Sequence, residues 1–168
     1  KKLILRSTNI TNSGTRYLSD LINLQELDCS TRFIGDLGIQ YLSGLTKLRI
    51  LNLSNTEITD TGLQYLSALT KLQELDLSNS VSNIHITGGG LKYLIGHTHL
   101  RKLDLSNTDI NDNRLQYLGA LTNLRELYLS GTFISDCGLR YVSGLIYLEK
   151  LDLNDTKISN NGLPHLAG

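Results

Sequence analysis

Apolar residues recur along the chain with a 24-residue period, which is clearest in the unit from Leu48 to Lys71. Most units open with the spacing L-x-x-L-x-L, as at Leu100, Leu103 and Leu105, and the first unit lacks its opening Leu. The alternation at the end of this spacing is typical of a short strand that shows one face to a core. One unit cannot bury its leucines alone, so successive strands must pair as a parallel sheet. The pattern predicts about seven stacked turns in one domain over residues 1–168.

The residues after each strand also form columns. A threonine recurs at one place, and we expect its hydroxyl to satisfy backbone groups that have left the sheet. An isoleucine follows two residues later and is predicted to fill the core beneath the turn. The threonines are Thr8, Thr56, Thr108, Thr132 and Thr156, with Arg32 and Ser80 as the two substitutes.

A helix is predicted after each isoleucine. Polar pairs suited to an N-cap and a first-turn carboxylate stand there, at Thr59-Asp60, Asn111-Asp112 and Ser135-Asp136. The inner face of such a helix would comprise Gly62, Leu63, Leu66 and Leu69. A tyrosine in most turns, such as Tyr65, is predicted to pack between neighbouring helices. The fold class is therefore α/β: a right-handed horseshoe-shaped solenoid with the sheet on its concave face and helices on its convex face.

These units resemble the bacterial 24-residue leucine-rich repeats grouped with the ribonuclease-inhibitor-like, cysteine-containing and GALA types, which read "LxxLxLxxTxITDxGLxxLxxLTN". The resemblance covers the whole chain, and Arg32, His97 and Arg114 depart from it. It implies a module that binds a partner protein. Some related proteins are secreted effectors with an F-box or other domain outside the repeats, and no F-box-like segment lies within these residues.

Charge and composition exclude several classes of function. Lys and Arg number 16, as do Asp and Glu, so the formal net charge is zero. This argues against nucleic acid as a partner, and no apolar run approaches the ~18 residues of a membrane span. The chain has no Met, which indicates a piece of a longer protein. We expect a monomer.

The two cysteines are predicted to remain free thiols. Cys29 and Cys137 fall on different turns and in different layers of the predicted stack, so a disulfide between them is not expected. Free thiols favour an intracellular protein or a secreted effector over a disulfide-rich extracellular protein.

Catalysis and cofactor binding find no support in the sequence. His85, His97 and His99 fall in one irregular unit, but no Cys or carboxylate stands beside them at a metal-ligand spacing. His97 occupies a column that is Leu elsewhere and is predicted to be a core residue. Gly88 to Gly90 lack the frame of a phosphate-binding loop. We therefore expect no enzyme, no cofactor and no metal site.

The outward face of the sheet is the candidate binding surface. Its central column is mostly Asp, including Asp76 and Asp104, and adjacent carboxylates ~5 Å apart repel by only ~1 kcal/mol in water, so no bound cation is needed. Residue types enriched in interfaces interrupt this polar surface. The first group is Tyr128, Phe133 and Arg125, and the second is Phe33, Ile50 and Arg49.

Two interpretations of these interruptions remain open. In the first, Tyr128, Phe133 and Arg125 anchor a protein partner with the Asp column as a polar rim. In the second, Phe33 and Phe133 only cover the hydrophobic edge of the turn. For the whole protein, the alternatives to an effector-type scaffold are an extracellular recognition or adhesion module and the substrate-selecting part of a ubiquitin-ligase-type assembly.

A four-residue insertion breaks the period once. Residues Val81 to Ile84 are extra, and the pattern resumes at His85-Ile86. Because the strand leucines on both sides keep their spacing, we expect the insertion to bulge out of the stack. Deleting residues 81–84 should leave the circular dichroism spectrum unchanged, whereas a loss of helical and strand signal would show that the segment is structural.

Overall fold

Seven three-residue strands form one parallel sheet in the computed structural model, which describes residues 1–79 and 86–167. The sheet order follows the chain order from β1 to β7. The strands are β1 (Lys2–Ile4), β2 (Glu26–Asp28), β3 (Ile50–Asn52), β4 (Glu74–Asp76), β5 (Lys102–Asp104), β6 (Glu126–Tyr128) and β7 (Lys150–Asp152). The predicted leucine-rich solenoid is confirmed.

The strands pair in the register that the repeat predicts. The central leucine of each strand lies opposite the central leucine of the next, as Leu75 lies opposite Leu103. The central leucines of β2 to β6 are buried, with Leu103 0% exposed, whereas Leu3 and Leu151 in the end strands are partly exposed. The column of isoleucines is buried in the middle turns, as expected, while Ile10 and Ile158 in the outer turns are partly exposed.

Short helices cover the other side of the core. The α-helices are α1 (Asn12–Thr15), α2 (Asp36–Leu42) and α3 (Asp136–Leu139), and the 3₁₀ helices are Arg16–Leu18, Gly62–Leu66, Gly89–Leu94, Asp112–Ala120 and Leu163–Leu166. The predicted inner face is buried as expected, although Leu69 lies beyond the end of its helix. A 3₁₀ helix rises ~2.0 Å per residue, so it spans the same length with fewer residues than an α-helix. Within the described residues, no helix has the length and apolar character needed to cross a membrane.

The predicted hydroxyl column is confirmed. Each recurring threonine donates its hydroxyl to the backbone carbonyl three residues earlier, as Thr56 does to Leu53 at 2.7 Å and Thr108 to Leu105 at 2.6 Å. Arg32 breaks the column in the second turn. There Thr31, one residue earlier, donates its hydroxyl to the Thr8 carbonyl of the preceding turn at 2.9 Å.

The predicted helix caps are wrong in their hydrogen bonds. Asn111 and Ser135 do precede helices in extended conformation, but neither side chain caps its own helix. Thr59 does not precede a helix directly, because the helix at Gly62–Leu66 follows Thr61. Thr59 and Ser135 bond to the preceding turn: each donates its N–H and its hydroxyl to a carboxylate there, Ser135 to Asp112 at 2.7 and 2.6 Å.

This side-chain bond between successive turns recurs and is here called the inter-turn ladder. In five of the turns, one polar side chain accepts hydrogen bonds from the backbone N–H of the next turn, and usually from its hydroxyl as well. The acceptors and their donors are Asn12 with Gly35 and Gly38, Asp36 with Thr59, Asp60 with Thr87, Gly88 and Gly89, Asp112 with Ser135, and Asp136 with Ser159. Most of the acceptors are carboxylates, and charge-assisted hydrogen bonds are stronger than neutral ones, so the ladder stabilises the stacking directly.

Glycine recurs two residues after the ladder position because the preceding turn's acceptor occupies the space. A Cβ at Gly38 would lie 2.6 Å from Asn12 Oδ1, and one at Gly138 would lie 2.5 Å from Asp112 Oδ1. The exception is Arg114, and the preceding turn there has Gly88 in place of the acceptor. A Cβ at Gly88 would lie 2.7 Å from the Arg114 Cβ, so the two departures compensate each other.

The insertion at residues 81–84 lies outside the described residues, as does His85. The flanking strands β4 and β5 pair in full register, with Leu75 opposite Leu103, although the insertion lengthens the segment between them. The sheet is therefore continuous across the insertion.

Both cysteines are free thiols, as predicted. Cys29 is buried in a column of leucines after β2, and burial raises the pKa of its thiol to about 12. Cys137 is exposed within α3. A disulfide between the two is excluded in this fold.

His97 is a core residue, as its column predicts. It is 0% exposed, and its ring nitrogens lie 3.1 Å from the carbonyl oxygens of Leu94 and Leu66. Both carbonyls also accept backbone N–H groups, from His97 and Leu69 respectively. Burial lowers the pKa of the imidazole below its ordinary value of 6.5.

Truncation of a strand leucine should cost most in the middle of the stack. Leu103→Ala should lower the free energy of unfolding by ~2–5 kcal/mol, the range for a buried leucine. Leu151→Ala, at the same place in β7, should cost less because Leu151 is already partly exposed. Urea denaturation of the two variants measures both losses. Equal losses would contradict a stack in which each turn depends on its neighbours.

The lowered pKa of His97 predicts a pH dependence of stability. Below about pH 6.5 the unfolded chain binds a proton that the folded chain resists, so this contribution to stability is lost as the pH falls. His97→Leu restores the residue of the other turns and leaves both carbonyls bonded. The variant's advantage in free energy of unfolding over the parent should therefore grow between pH 7.5 and pH 5.5, values that bracket about 6.5. A difference that stays constant across this interval would show that His97 is not desolvated.

Candidate interaction surface

The outward face of the sheet carries two columns of side chains. The first is Lys2, Glu26, Ile50, Glu74, Lys102, Glu126 and Lys150, and the second is Ile4, Asp28, Asn52, Asp76, Asp104, Tyr128 and Asp152. Opposite charges meet across strands in the first column, with Lys2 Nζ 2.9 Å from Glu26 Oε2 and Lys102 Nζ 3.9 Å from Glu126 Oε2. These pairs are exposed to solvent, which screens them, so they contribute little to stability.

The Asp column has a structural explanation. Asp76 and Asp104 each accept the backbone N–H two residues later, from Ser78 and Ser106, at 2.9 Å. The carboxylate thus holds the chain where it leaves the strand. Burial, with the charge of neighbouring Asp104 adding to it, raises the pKa of Asp76 above its ordinary value. This column forms a polar background and holds no group of three metal ligands within the described residues.

Tyr128 interrupts this background on β6. Its ring is half-buried and lies between two ammonium groups, with Lys150 Nζ 4.7 Å and Lys102 Nζ 5.4 Å from the ring centroid. Its hydroxyl donates to Glu126 Oε2 at 2.7 Å. Interaction with Tyr128 also raises the pKa of Lys150 above its ordinary value. The aromatic ring is therefore held in place by charges from three strands.

The other two members of the first group lie on either side of Tyr128. Arg125 precedes β6 and pairs with the Glu149 carboxylate of the next turn. Phe133 follows the turn after β6, is 52% exposed, and has Lys157 Nζ 5.6 Å from its ring centroid. The structure places the three residues on one turn, each with its own partner.

The second group lies three to four strands away. Phe33 follows β2 and is 39% exposed, with the Arg32 guanidinium carbon 5.0 Å from its ring centroid. Ile50 is a half-buried outward residue of β3, and Arg49 donates to Gln73 Oε1 at 3.1 Å. With strands ~4.8 Å apart, three strand spacings separate Ile50 from Tyr128. The two groups are therefore separate patches.

The charged neighbours of Tyr128 are not among the binding residues predicted from the sequence. Lys102 and Lys150 lie one strand away on either side, at the adjacent position of the other column. The 24-residue period alone places both lysines on the strands next to Tyr128, so their proximity could have been predicted from the sequence. Their action on the ring also depends on side-chain directions, which the period does not give.

The histidines form no site in the described part of the chain. His97 is enclosed in the core, and His99 lies on the exposed segment before β5. His99 lines a shallow depression of 230 Å³ with Arg101, Arg125 and Tyr147. In that depression Arg125 is already paired with Glu149.

Comparison with known families accounts for most of the chain. The family described as leucine-rich repeats in two copies matches residues 46–92 and 98–141. A family described as a single leucine-rich repeat matches residues 144–167. No curated protein sequence matches the chain.

Solved structures with the same architecture come from Listeria monocytogenes. An internalin superposes with a TM-score of 0.67 at 20% identity, covering 96% of this chain and 50% of the internalin. Internalin C2 superposes with a TM-score of 0.69 at 26% identity, covering 99% of this chain and 76% of internalin C2. The chain thus spans half the length of the first internalin, which it resembles in fold alone.

Proposed function

Because the chain belongs to the leucine-rich repeat family, we propose that it is a protein-binding scaffold that holds its partner on the outward face of the sheet, with Tyr128 as the central anchor. Phe133 and Arg125 extend this patch along the same turn, and the Asp column, including Asp76 and Asp104, supplies a polar rim. The scaffold acts by binding and not by catalysis.

The observation that carries this proposal is the replacement of Asp by Tyr at one outward position. The fold does not require an aromatic residue there, because Asp28, Asp104 and Asp152 occupy the equivalent places. The replacement also gives up the carboxylate that elsewhere accepts the backbone N–H two residues later. A half-buried tyrosine held among charges offers a rigid apolar surface with a polar tip, which is typical of residues at the centre of an interface.

The charges around Tyr128 preorganise its side chain for binding. Lys102, Lys150 and Glu126 restrict the ring before binding, so less side-chain entropy is lost when a partner covers it. The same charges favour partner groups that can replace these contacts, because desolvating an unpaired lysine is costly. The surface thus favours an apolar centre with carboxylates around it.

The setting of this binding is also a proposal. The 24-residue unit resembles bacterial repeats of the ribonuclease-inhibitor-like, cysteine-containing and GALA types, and both solved structures come from a bacterium. These likenesses support a bacterial effector module as the whole protein.

Affinity measurements on two variants of the patch test whether Tyr128 is the anchor. Tyr128→Asp restores the residue of the other turns and so should keep the fold, and Phe133→Ala removes an exposed ring. Each should weaken partner binding by ~2 kcal/mol, about 30-fold in Kd, as for residues at the centre of an interface. Proteins captured from extracts by the parent and lost with both variants would then be titrated individually against the purified scaffold.

Gln40→Ala is the matched control, because Gln40 is an exposed residue of α2 on the helical side of the stack, away from the patch. Its affinity should equal that of the parent. Unchanged affinity in the folded Tyr128→Asp/Phe133→Ala double variant would eliminate this patch and leave Phe33, Ile50 and Arg49 as the remaining candidate group.

A further inference from the structure

A second surface feature lies where the chain leaves β1, β2 and β3, away from the Tyr128 patch. It is an open depression of 420 Å³ lined by residues 6–9, 30–33 and 54–55 of three successive turns. Its charged groups are the guanidinium groups of Arg6 and Arg32, and its other lining groups are hydroxyls, amides and the Phe33 ring. No carboxylate belongs to this described lining, although the chain as a whole is neutral.

Arg32 stands where the repeat does not need it. Arg32 replaces the threonine of the hydroxyl column, and the neighbouring Thr31 donates its hydroxyl to a different acceptor, the Thr8 carbonyl of the preceding turn. The guanidinium lies over the Phe33 ring at 5.0 Å and forms no ion pair with the described residues. A guanidinium stacked on an aromatic face keeps its N–H groups directed sideways, available to a planar oxyanion.

Ser54 provides an independent observation in the same depression. It is 9% exposed, and its hydroxyl has no hydrogen-bond partner within residues 1–79 and 86–167. The equivalent hydroxyls of Ser30 and Ser78 donate to Asp28 and Asp76. At Ser54 the strand residue is Asn52, whose side-chain oxygen accepts only the backbone N–H. A hydroxyl without a partner among these residues can donate to a ligand acceptor.

We propose that this depression binds an oxyanion group, a carboxylate or phosphate, attached to an apolar or aromatic ligand portion. Arg6 and Arg32 donate to the oxyanion from two adjacent turns, and the Ser54 hydroxyl donates from the floor. Phe33 forms the apolar wall. Two guanidinium groups beside each other repel, so an anion between them removes a cost as well as adding hydrogen bonds.

The same oxyanion chemistry has two sources, a free small molecule or the side chain of a partner protein. Phenyl phosphate is the first probe, since it joins a phosphate to an aromatic ring, and phenol is its uncharged counterpart. A short peptide with one phosphotyrosine is the second probe. Peptide binding at least ~10-fold tighter than phenyl phosphate assigns the site to a protein-borne group, and equal binding assigns it to a small molecule.

Titration followed by NMR of backbone amides and arginine side chains tests the site in the intact chain. Phenyl phosphate should shift the signals of residues 30–33 and of Arg6, and phenol should not. Arg32→Thr restores the repeat residue and should weaken binding by at least ~10-fold, as should Arg6→Gln, since each removes charge-assisted hydrogen bonds. Arg140→Gln is the matched control, because Arg140 lies after α3 and contacts Tyr141.

Three results would overturn the proposal. The first is the absence of shifts at residues 30–33 with both phosphate probes. The second is a set of shifts spread over all arginines, including Arg140, which indicates nonspecific attraction. The third is undiminished binding by folded Arg32→Thr.

Discussion

The inter-turn ladder is the interaction on which this structure depends. A single turn of the stack contains one three-residue strand and one or two turns of helix, and neither element is stable alone. On one side of the core, backbone hydrogen bonds between strands join each turn to the next. The ladder from Asp36 to Thr59, or from Asp112 to Ser135, fixes the neighbour on the other side. The core between these two rows of bonds then fills with leucine.

The ladder also explains residues that the hydrophobic pattern leaves unexplained. The recurring glycine keeps its place because the acceptor of the preceding turn occupies the space of a Cβ. Gly88 and Arg114 depart from the pattern together. Arg114 fits because Gly88 has no side chain, and Gly88 fills the place of an acceptor that would clash with Arg114. Hydroxyl residues such as Ser135 and Ser159 are retained because they donate across turns, and not because they cap their own helices.

The interactions predicted correctly from the sequence are those between residues close to each other along the chain. Strand positions, buried isoleucines and the threonine-to-carbonyl bonds depend on residues within one turn, and these predictions are confirmed. The cap predictions fail because Asp112 and Ser135 belong to successive turns, whereas a local pattern suggests a local partner. Tyr128 and Ile50 lie on the outward sheet face, as the column alignment predicts, but the lysines around Tyr128 come from other strands. The repeat pattern shows that Arg32 is an anomaly. The depression around Arg32 is not visible in the sequence, because residues of three successive turns line it.

The paired departure at Gly88 and Arg114 has a consequence for how such a chain is lengthened or shortened by duplication of whole turns. A turn with Asp at the ladder position can be followed by any copy that carries the recurring glycine. The fifth turn, which carries Arg114, fits only behind a turn that lacks the acceptor, because its Cβ would meet the carboxylate otherwise. The fifth turn therefore requires the fourth before it, so we expect the two to be duplicated or deleted together.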